Sequence, residues 1–376
     1  MIPKLLKHWL TLASKMDVVM LLLMAFLLAT GCAFIYGVGQ KAGGRFTSYW
    51  LDQLLFVGLG STCFLAVCLI DYRFLGRWSW LLYLGSIVLL SLVWLIGWSA
   101  NQAQSWLVLP VIGKRIQPAE MAKPATVLFA AWVTSRPILL AGKLRFVVPA
   151  LAVAAVPVVL IGMQPDLGTA LVFGPAILSI IFIAGVPWKW IAGAVIAAGL
   201  LVRPIHDRLD DHQKARIQTF LNPSADVSGV SWNAHQSLLA VGSGGMTGKG
   251  FMKGTQHVLG FLPRTVASTD FIFSVIAEEL GFVGALAIVC SFIGLVLCCL
   301  RTAALASDPL GAFVAVGIAA IFFTHAYINI GMTIRAAPII GIPLPFVSYG
   351  GSFLVSAMIL AGLVQSVHVR RKELTN

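Results

Sequence analysis

The chain has 376 residues, of which 59% are hydrophobic and only 11% charged, with a mean hydropathy of +0.92. That composition excludes an ordinary soluble domain and implies a polytopic membrane protein. The formal net charge of +12 comes without a basic block or a base-stacking motif, so it speaks for membrane topology and against nucleic-acid binding.

A bilayer is crossed by roughly 20 apolar residues, and such runs are predicted near 17–37, 51–70, 79–99, 117–135, 146–163, 167–185, 187–203, 270–300, 309–331 and 346–368. The first run is too long, and too close to the next, for a cleaved signal peptide. The expectation is a single all-α membrane domain over 1–376, with about ten transmembrane helices and a long extracytoplasmic loop, about 204–269, between helices 7 and 8. With the N-terminus inside, the inner segments carry Lys4, Lys7, Lys15, Arg73, Arg77, Arg136, Lys143, Arg145, Lys189, Arg301, Arg370, Arg371 and Lys372. The short outer loops carry Lys41, Arg45, Lys114, Arg115 and Arg335. Thirteen against five places both termini in the cytoplasm and the long loop outside.

Polar clusters interrupt this background in chain order. Lys114-Arg115-Ile116-Gln117-Pro118-Ala119-Glu120-Met121-Ala122-Lys123 opens the fourth span; Glu120 and Lys123, three apart, share a helix face and can pair. A register-fixing ion pair and a cavity-lining pair fit that spacing equally. Gln164-Pro165-Asp166-Leu167-Gly168-Thr169 is a tight turn in which Asp166 suits a helix N-cap. The long loop holds Arg216 and a Gly-rich string, Ser243 to Gly250, whose amides could form an anion nest beside Lys249; a structural turn is the better reading of that string alone. No P-loop ends it.

Asp270 then stands at the mouth of an apolar run, followed by Glu278 and Glu279. A carboxylate kept at such a place points to chemistry. Last, Pro338 and Gly341-Ile342-Pro343-Leu344-Pro345-Phe346-Val347-Ser348-Tyr349-Gly350-Gly351-Ser352 demand irregular backbone, tolerated at membrane depth only inside protein or beside water. All these clusters fall on the outer side, as for one outward-facing site.

Taken together, and in this order, the motifs resemble the SEDS family: Gln117-Pro118-Ala119-Glu120 with Lys123; Gln164 to Thr169; Ser243 to Gly250; Gly254-Thr255-Gln256; Thr269-Asp270-Phe271-Ile272-Phe273 with Glu278-Glu279; and Gly341 to Ser352. The short N-terminus and the Gly-Lys-Gly with Gly-Thr-Gln pattern look more like its cell-elongation branch than its division branch. The resemblance implies an inverting glycosyltransferase that polymerises lipid II into β-1,4 glycan strands on the outer face of the bacterial cytoplasmic (inner) membrane. The donor would be the glycan on undecaprenyl pyrophosphate. It further implies Asp270 as general base, and substrate binding by Arg115, Gln117, Glu120, Lys123, Asp166, Arg216, Lys249, Ser348 and Tyr349. A divalent cation (Mg or Mn) with unassigned ligands, no organic cofactor, and the elongation machinery with a class B penicillin-binding protein as partner complete the expectation. The chain departs from the family at Ser105, where a basic residue is usual, in the Leu262 to Thr269 segment with its Arg264, and at Arg335. A lipid II flippase or other transporter, and a non-catalytic scaffold, are the alternatives; a transporter should show repeated halves with midplane charges, and none are visible.

Overall fold

A computed structural model describes residues 14–42, 47–100, 103–109, 114–136, 147–193, 196, 199, 214, 216, 218, 220 and 229–371. Long apolar runs fold as helices because a helix satisfies every backbone group within itself, the condition for crossing lipid. They are α1 (Val18–Ala42), α2 (Tyr49–Leu69), α3 (Tyr72–Ile96), α4 (Pro118–Thr134), α5 (Val147–Gly162) and α6 (Leu167–Ile183). After them come α7 (Gly229–Ser243), the single turns α8 (Thr255–Val258) and α9 (Arg264–Ala267), then α10 (Ile272–Leu305), α11 (Pro309–Thr333) and α12 (Gly351–Val369). Among the described residues, α1, α2, α3, α10, α11 and α12 are long and apolar enough to span a membrane, and α5 and α6 are shorter apolar helices. The expected seventh span, 187–203, and the first part of the long loop, 204–228, lie largely outside the described residues.

The fold is mostly helical as expected, and two features depart from the expected layout of its connections. Strands β1 (Trp98–Ala100), β2 (Ala103–Leu109) and β3 (Lys114–Ile116) form a small antiparallel sheet in the order β1-β2-β3, with Leu107 opposite Ile116 and Val108 opposite Arg115. The second is α7, which lies inside the supposed extracytoplasmic loop and is built into the bundle. Ser237 Oγ lies 2.6 Å from Ser274 Oγ on α10 and donates to the Thr333 carbonyl of α11 at 3.0 Å, all buried. The latter half of the loop is therefore part of the framework and no detached cover.

The core is densest around α11 and α12, whose faces are mostly buried, while α1, α2 and α3 keep one side outward for lipid. At the cytoplasmic end of the expected topology the chain ties itself shut. Asp308 caps α11 through the Gly311 amide and accepts from Arg73 Nε at 2.6 Å and from Tyr72 Oη at 2.8 Å. Arg370, just past α12, donates to the carbonyls of Cys68 and Leu69 at the end of α2. Along that α2–α12 seam a side chain at Gly362 would press on the Phe64 carbonyl at 2.8 Å, so only glycine lets the two backbones approach.

The framework's sharpest irregularity is in α10. Gly281 has φ 67° and ψ −163° and breaks the helix. The Gly-rich loop repairs the break: Lys249 and Gly250 amides donate to the Glu278 and Glu279 carbonyls (3.0 and 2.9 Å), and the Phe282 and Val283 amides donate to the Gly245 and Met246 carbonyls (2.8 and 3.2 Å). A polypeptide thus supplies the bonds that a continuous helix would make itself. Residues 282–305 still provide about 36 Å of helix, enough to span. Gly281→Ala should break this joint, since the backbone there is left-handed and a Cβ would strike the Gly248 amide nitrogen. The expected loss is on the order of 3 kcal/mol, read as a lowered unfolding midpoint of the detergent-solubilised protein.

Candidate active site

Asp270 lies in the turn between α9 and α10, and its backbone is held on both sides. The Thr269 carbonyl accepts from Ser348 Oγ at 2.6 Å, and the Asp270 carbonyl accepts from Asn329 Nδ2 of α11 at 2.9 Å. The same Asn329 nitrogen donates to the Ile342 carbonyl at 2.7 Å. Beside Asp270 runs the Pro- and Gly-rich segment. A Cβ built on Gly341 (φ 78°) would lie 3.3 Å from Asp270 Oδ2 and 3.7 Å from an Arg216 terminal nitrogen, so carboxylate and guanidinium face the same point of backbone. Arg216 is itself fixed by donating to the Ile340 carbonyl at 2.8 Å.

The carboxyl of Asp270 is largely enclosed by protein, and loss of hydration pushes it up to about 6. The Arg216 charge and a hydrogen bond from Thr269 oppose that rise, and the Asp166 charge adds to it. The result is a base still ionised at neutral pH yet stronger than a solvated aspartate.

Asp166 belongs to the same end of the bundle. It caps α6 by accepting from the Thr169 amide at 3.1 Å and takes further bonds from Thr169 Oγ1 at 3.0 Å and Gln117 Nε2 at 2.9 Å. Gln117 in turn receives its backbone support from Ser352 Oγ at 3.1 Å, and Gly168 packs against Ile340 and Ile342. Gln117, Asp166, Arg216 and Asp270 therefore surround one loop, 340–352. Arg115 is exposed on β3, two residues before Gln117.

Glu120 and Lys123 pair as their spacing predicts, with Lys123 Nζ 2.8 Å from both carboxylate oxygens. They do not line an open cavity: the two residues are 2% and 1% exposed. The third proton of the ammonium goes to His325 Nε2 at 3.0 Å, and His325 Nδ1 lies 3.0 Å from the Pro343 carbonyl. That carbonyl can only accept, so Nδ1 carries the ring proton and Nε2 accepts from Lys123. The adjoining cavity is about 10 Å³, room for about one water and for no sugar. In this arrangement the pair is connected to the loop beside Asp270 through His325.

Three expected substrate contacts have other work. Lys249 Nζ binds Glu278 Oε1 at 2.6 Å and Thr255 Oγ1 at 2.8 Å, about two turns along α10 from Asp270; Glu278 also accepts from the Thr255 and Gln256 amides. Ser348 is buried, its hydroxyl spent on the Thr269 carbonyl and the Leu344 amide. Tyr349 stacks on Tyr49 with ring centroids 4.3 Å apart, and its amide donates to the Ser268 carbonyl. The residues expected at one outward-facing site therefore fall into a divided arrangement. Arg216 stands beside Asp270, Glu120–Lys123 lies behind the loop, and Lys249 serves the broken helix. Of the departures, Ser105 is buried in β2 with its hydroxyl unpaired among the described residues. Arg335 follows α11 at φ 58° with its Nε likewise unpaired.

His325 and Asn329 were missed from sequence. Both lie in an apolar run, and their four-residue spacing, which puts them on one helix face, was the available signal. Among the described residues no three His, Cys, Asp or Glu side chains gather as a metal ion would require.

Two outcomes follow. Glu120→Gln or Lys123→Met alone should destabilise by about 3–5 kcal/mol, because each strands a buried charge. The double variant should recover much of that loss, and denaturation of all four proteins as a cycle reads the coupling. For Asp270, the folded chain binds the proton more tightly than the unfolded chain does, about 6 against an ordinary 3.8. Its contribution to stability is therefore best below about pH 4 and declines as pH rises through about 6. Asp270→Asn should melt higher than wild type at pH 8, and the difference should shrink toward pH 4.

The FTSW_RODA_SPOVE family model, a cell cycle protein family, matches residues 13–373. The chain is 35% identical over 362 residues to the peptidoglycan glycosyltransferase MrdB of Escherichia coli (strain K12), covering 96% of this chain and 95% of that one. Among solved structures it resembles one described as the structural coordination of polymerization and crosslinking by a peptidoglycan synthase complex, with a TM-score of 0.78 and 28% identity over 94% of this chain and 97% of that one. It also resembles the Rod shape determining protein RodA of Thermus thermophilus, with a TM-score of 0.69 and 26% identity over 95% and 98%.

Proposed function

The chain belongs to the FTSW_RODA_SPOVE family, the SEDS proteins, and from that membership we propose that it is a multi-pass peptidoglycan glycosyltransferase with Asp270 as its general base. The observation that carries the assignment of the base is the half-buried carboxylate beside Arg216, in irregular backbone held by Asn329 of α11, by Ser348 and by Arg216.

The substrates proposed are lipid II as acceptor and a glycan on undecaprenyl pyrophosphate as donor. Asp270 takes the proton from the 4-hydroxyl of the acceptor's GlcNAc as that oxygen attacks the anomeric carbon of the donor's MurNAc. The new bond forms on the face opposite the leaving group, giving a β-1,4 linkage. The bond from the anomeric carbon to pyrophosphate breaks, and its electrons leave with the pyrophosphate. Developing negative charge there needs cations, which Arg216 beside the base and Arg115 on the exposed strand supply through charge-assisted hydrogen bonds. A positioned base contributes roughly 10²–10⁴-fold.

A divalent cation, Mg or Mn, would neutralise charge on the leaving pyrophosphate. Asp166 already spends its oxygens on Thr169 and Gln117, so such an ion would rest chiefly on the pyrophosphate. We further assign the outer face of the inner membrane, cytoplasmic termini, one domain over 1–376, cell elongation, and a class B penicillin-binding protein as partner. The Lys and Arg asymmetry supports the orientation. The resemblance to a peptidoglycan synthase complex supports the partner.

The test is polymerisation of purified lipid II by the full-length protein with its partner. Asp270→Asn should reduce strand formation by at least about 10²-fold while lipid binding persists, and the wild-type rate should rise with pH through about 6. Near-normal synthesis by Asp270→Asn would return the scaffold reading.

A further inference from the structure

The loop beside Asp270 offers its carbonyls one after another to side chains: Ile340 to Arg216, Ile342 to Asn329 and Pro343 to His325. Asn329 differs from the other two in holding the base as well. Its amide nitrogen has two protons, and one goes to the Ile342 carbonyl and the other to the Asp270 carbonyl. Both partners can only accept, which fixes the orientation of the amide. The residue is 0% exposed, and its Oδ1 has no hydrogen-bond donor among the described residues. An asparagine buried with an idle acceptor is kept for its donors, since an aspartate or a leucine of similar size could bridge neither carbonyl.

We propose that Asn329 is a positioning residue for glycosyl transfer. By holding the Asp270 and Ile342 carbonyls on one nitrogen, it fixes the carboxylate against Gly341 and Arg216. The inference rests on the reading of Asp270 as the base. The neighbouring carbonyl of Thr269 is held independently by Ser348, so loss of Asn329 frees one side of the turn while leaving the other anchored. Gly341, at φ 78° with no side chain, is the wall that the carboxylate faces, and Ile342 follows it directly. Releasing Ile342 therefore moves the wall together with the base. The charged groups facing Asp270 are Arg216 from the long loop and Asp166 from the start of α6; from α11 the group that faces it is the uncharged Asn329.

Asn329→Ala in the full-length protein, with its partner and lipid II, is the experiment. A base displaced by an ångström loses rate more than binding. The expected result is a kcat lower by about 10²-fold with KM within about threefold of wild type. The acid limb of the rate profile should also move down from about 6 toward the ordinary carboxylate range as water reaches Asp270. A purely structural lesion would lower the amount of active enzyme and leave that limb in place, and that result, or an unchanged kcat, overturns the proposal. Carbodiimide labelling of Asp270, read by peptide mass spectrometry, reports the same displacement without turnover: faster labelling supports it, and an unchanged rate overturns it. If Asn329→Ala does not fold, Asn329→Ser keeps one donor and should show the same changes at smaller size. Asp270→Asn is measured beside them. Activity surviving in Asp270→Asn defeats the general-base reading, whereas the labelling still decides whether Asn329 holds the aspartate in place.

Discussion

The constraint on which the site depends is that backbone polar groups at membrane depth must find partners within the protein. Among the described residues, the 338–350 segment and the joint at Gly281 give up helix inside the bundle, and each is satisfied by groups from other elements. An unsatisfied carbonyl or amide in that setting costs several kcal/mol, so the partners are obligatory and the irregular backbone becomes rigid. Rigidity is what sets this turn apart. Ordinarily a turn residue wanders, but here Ser348, Asn329 and the Gly341 wall leave Asp270 one place to sit.

Charge burial is organised around the same requirement. The Lys123 ammonium has three protons and three acceptors, Glu120 twice and His325 once, and nothing left over for a substrate. Glu278 is saturated by Lys249, Thr255 and loop amides, and Glu279 accepts from the Met252 and Gly254 amides. Asp270 differs in its surroundings: its carboxylate faces the Gly341 backbone, with Arg216 as its neighbouring cation.

Much of this was legible in the sequence, for physical reasons that can be stated. Span lengths follow from bilayer thickness, and Asp166 as a cap and Glu120–Lys123 as a pair follow from local spacing on one helix. Asp270 stood out because a carboxylate at the mouth of an apolar run has no cheap explanation. What failed was long-range. Ser348, Tyr349 and Lys249 sit in motifs that look ready to bind ligand, and only the fold reveals the bonds that Ser348 and Lys249 already make and the stack of Tyr349 on Tyr49. The sheet at β1–β3 and helix α7 were hidden by the same habit of reading a polar connection as featureless, although Ala103 to Leu109 carries a strand-like run. His325 and Asn329 look like incidental polar residues until the loop carbonyls are placed beside them.

The seam between α2 and α12 has a consequence for how the protein is made. A chain synthesised from its N-terminus delivers α2 to the membrane about 280 residues before α12 exists. Through that interval Gln53, fully buried in the finished protein, is without Ser348 and Gly350, and the cytoplasmic end of α2 is without Arg370. Helix α2 must therefore wait in lipid with its polar amide uncovered, or be chaperoned by an insertase, until the final span arrives. Because α12 also carries Ser352 to Gln117 and follows directly on the loop that fixes Asp270, the surroundings of that aspartate are completed only with the last helix.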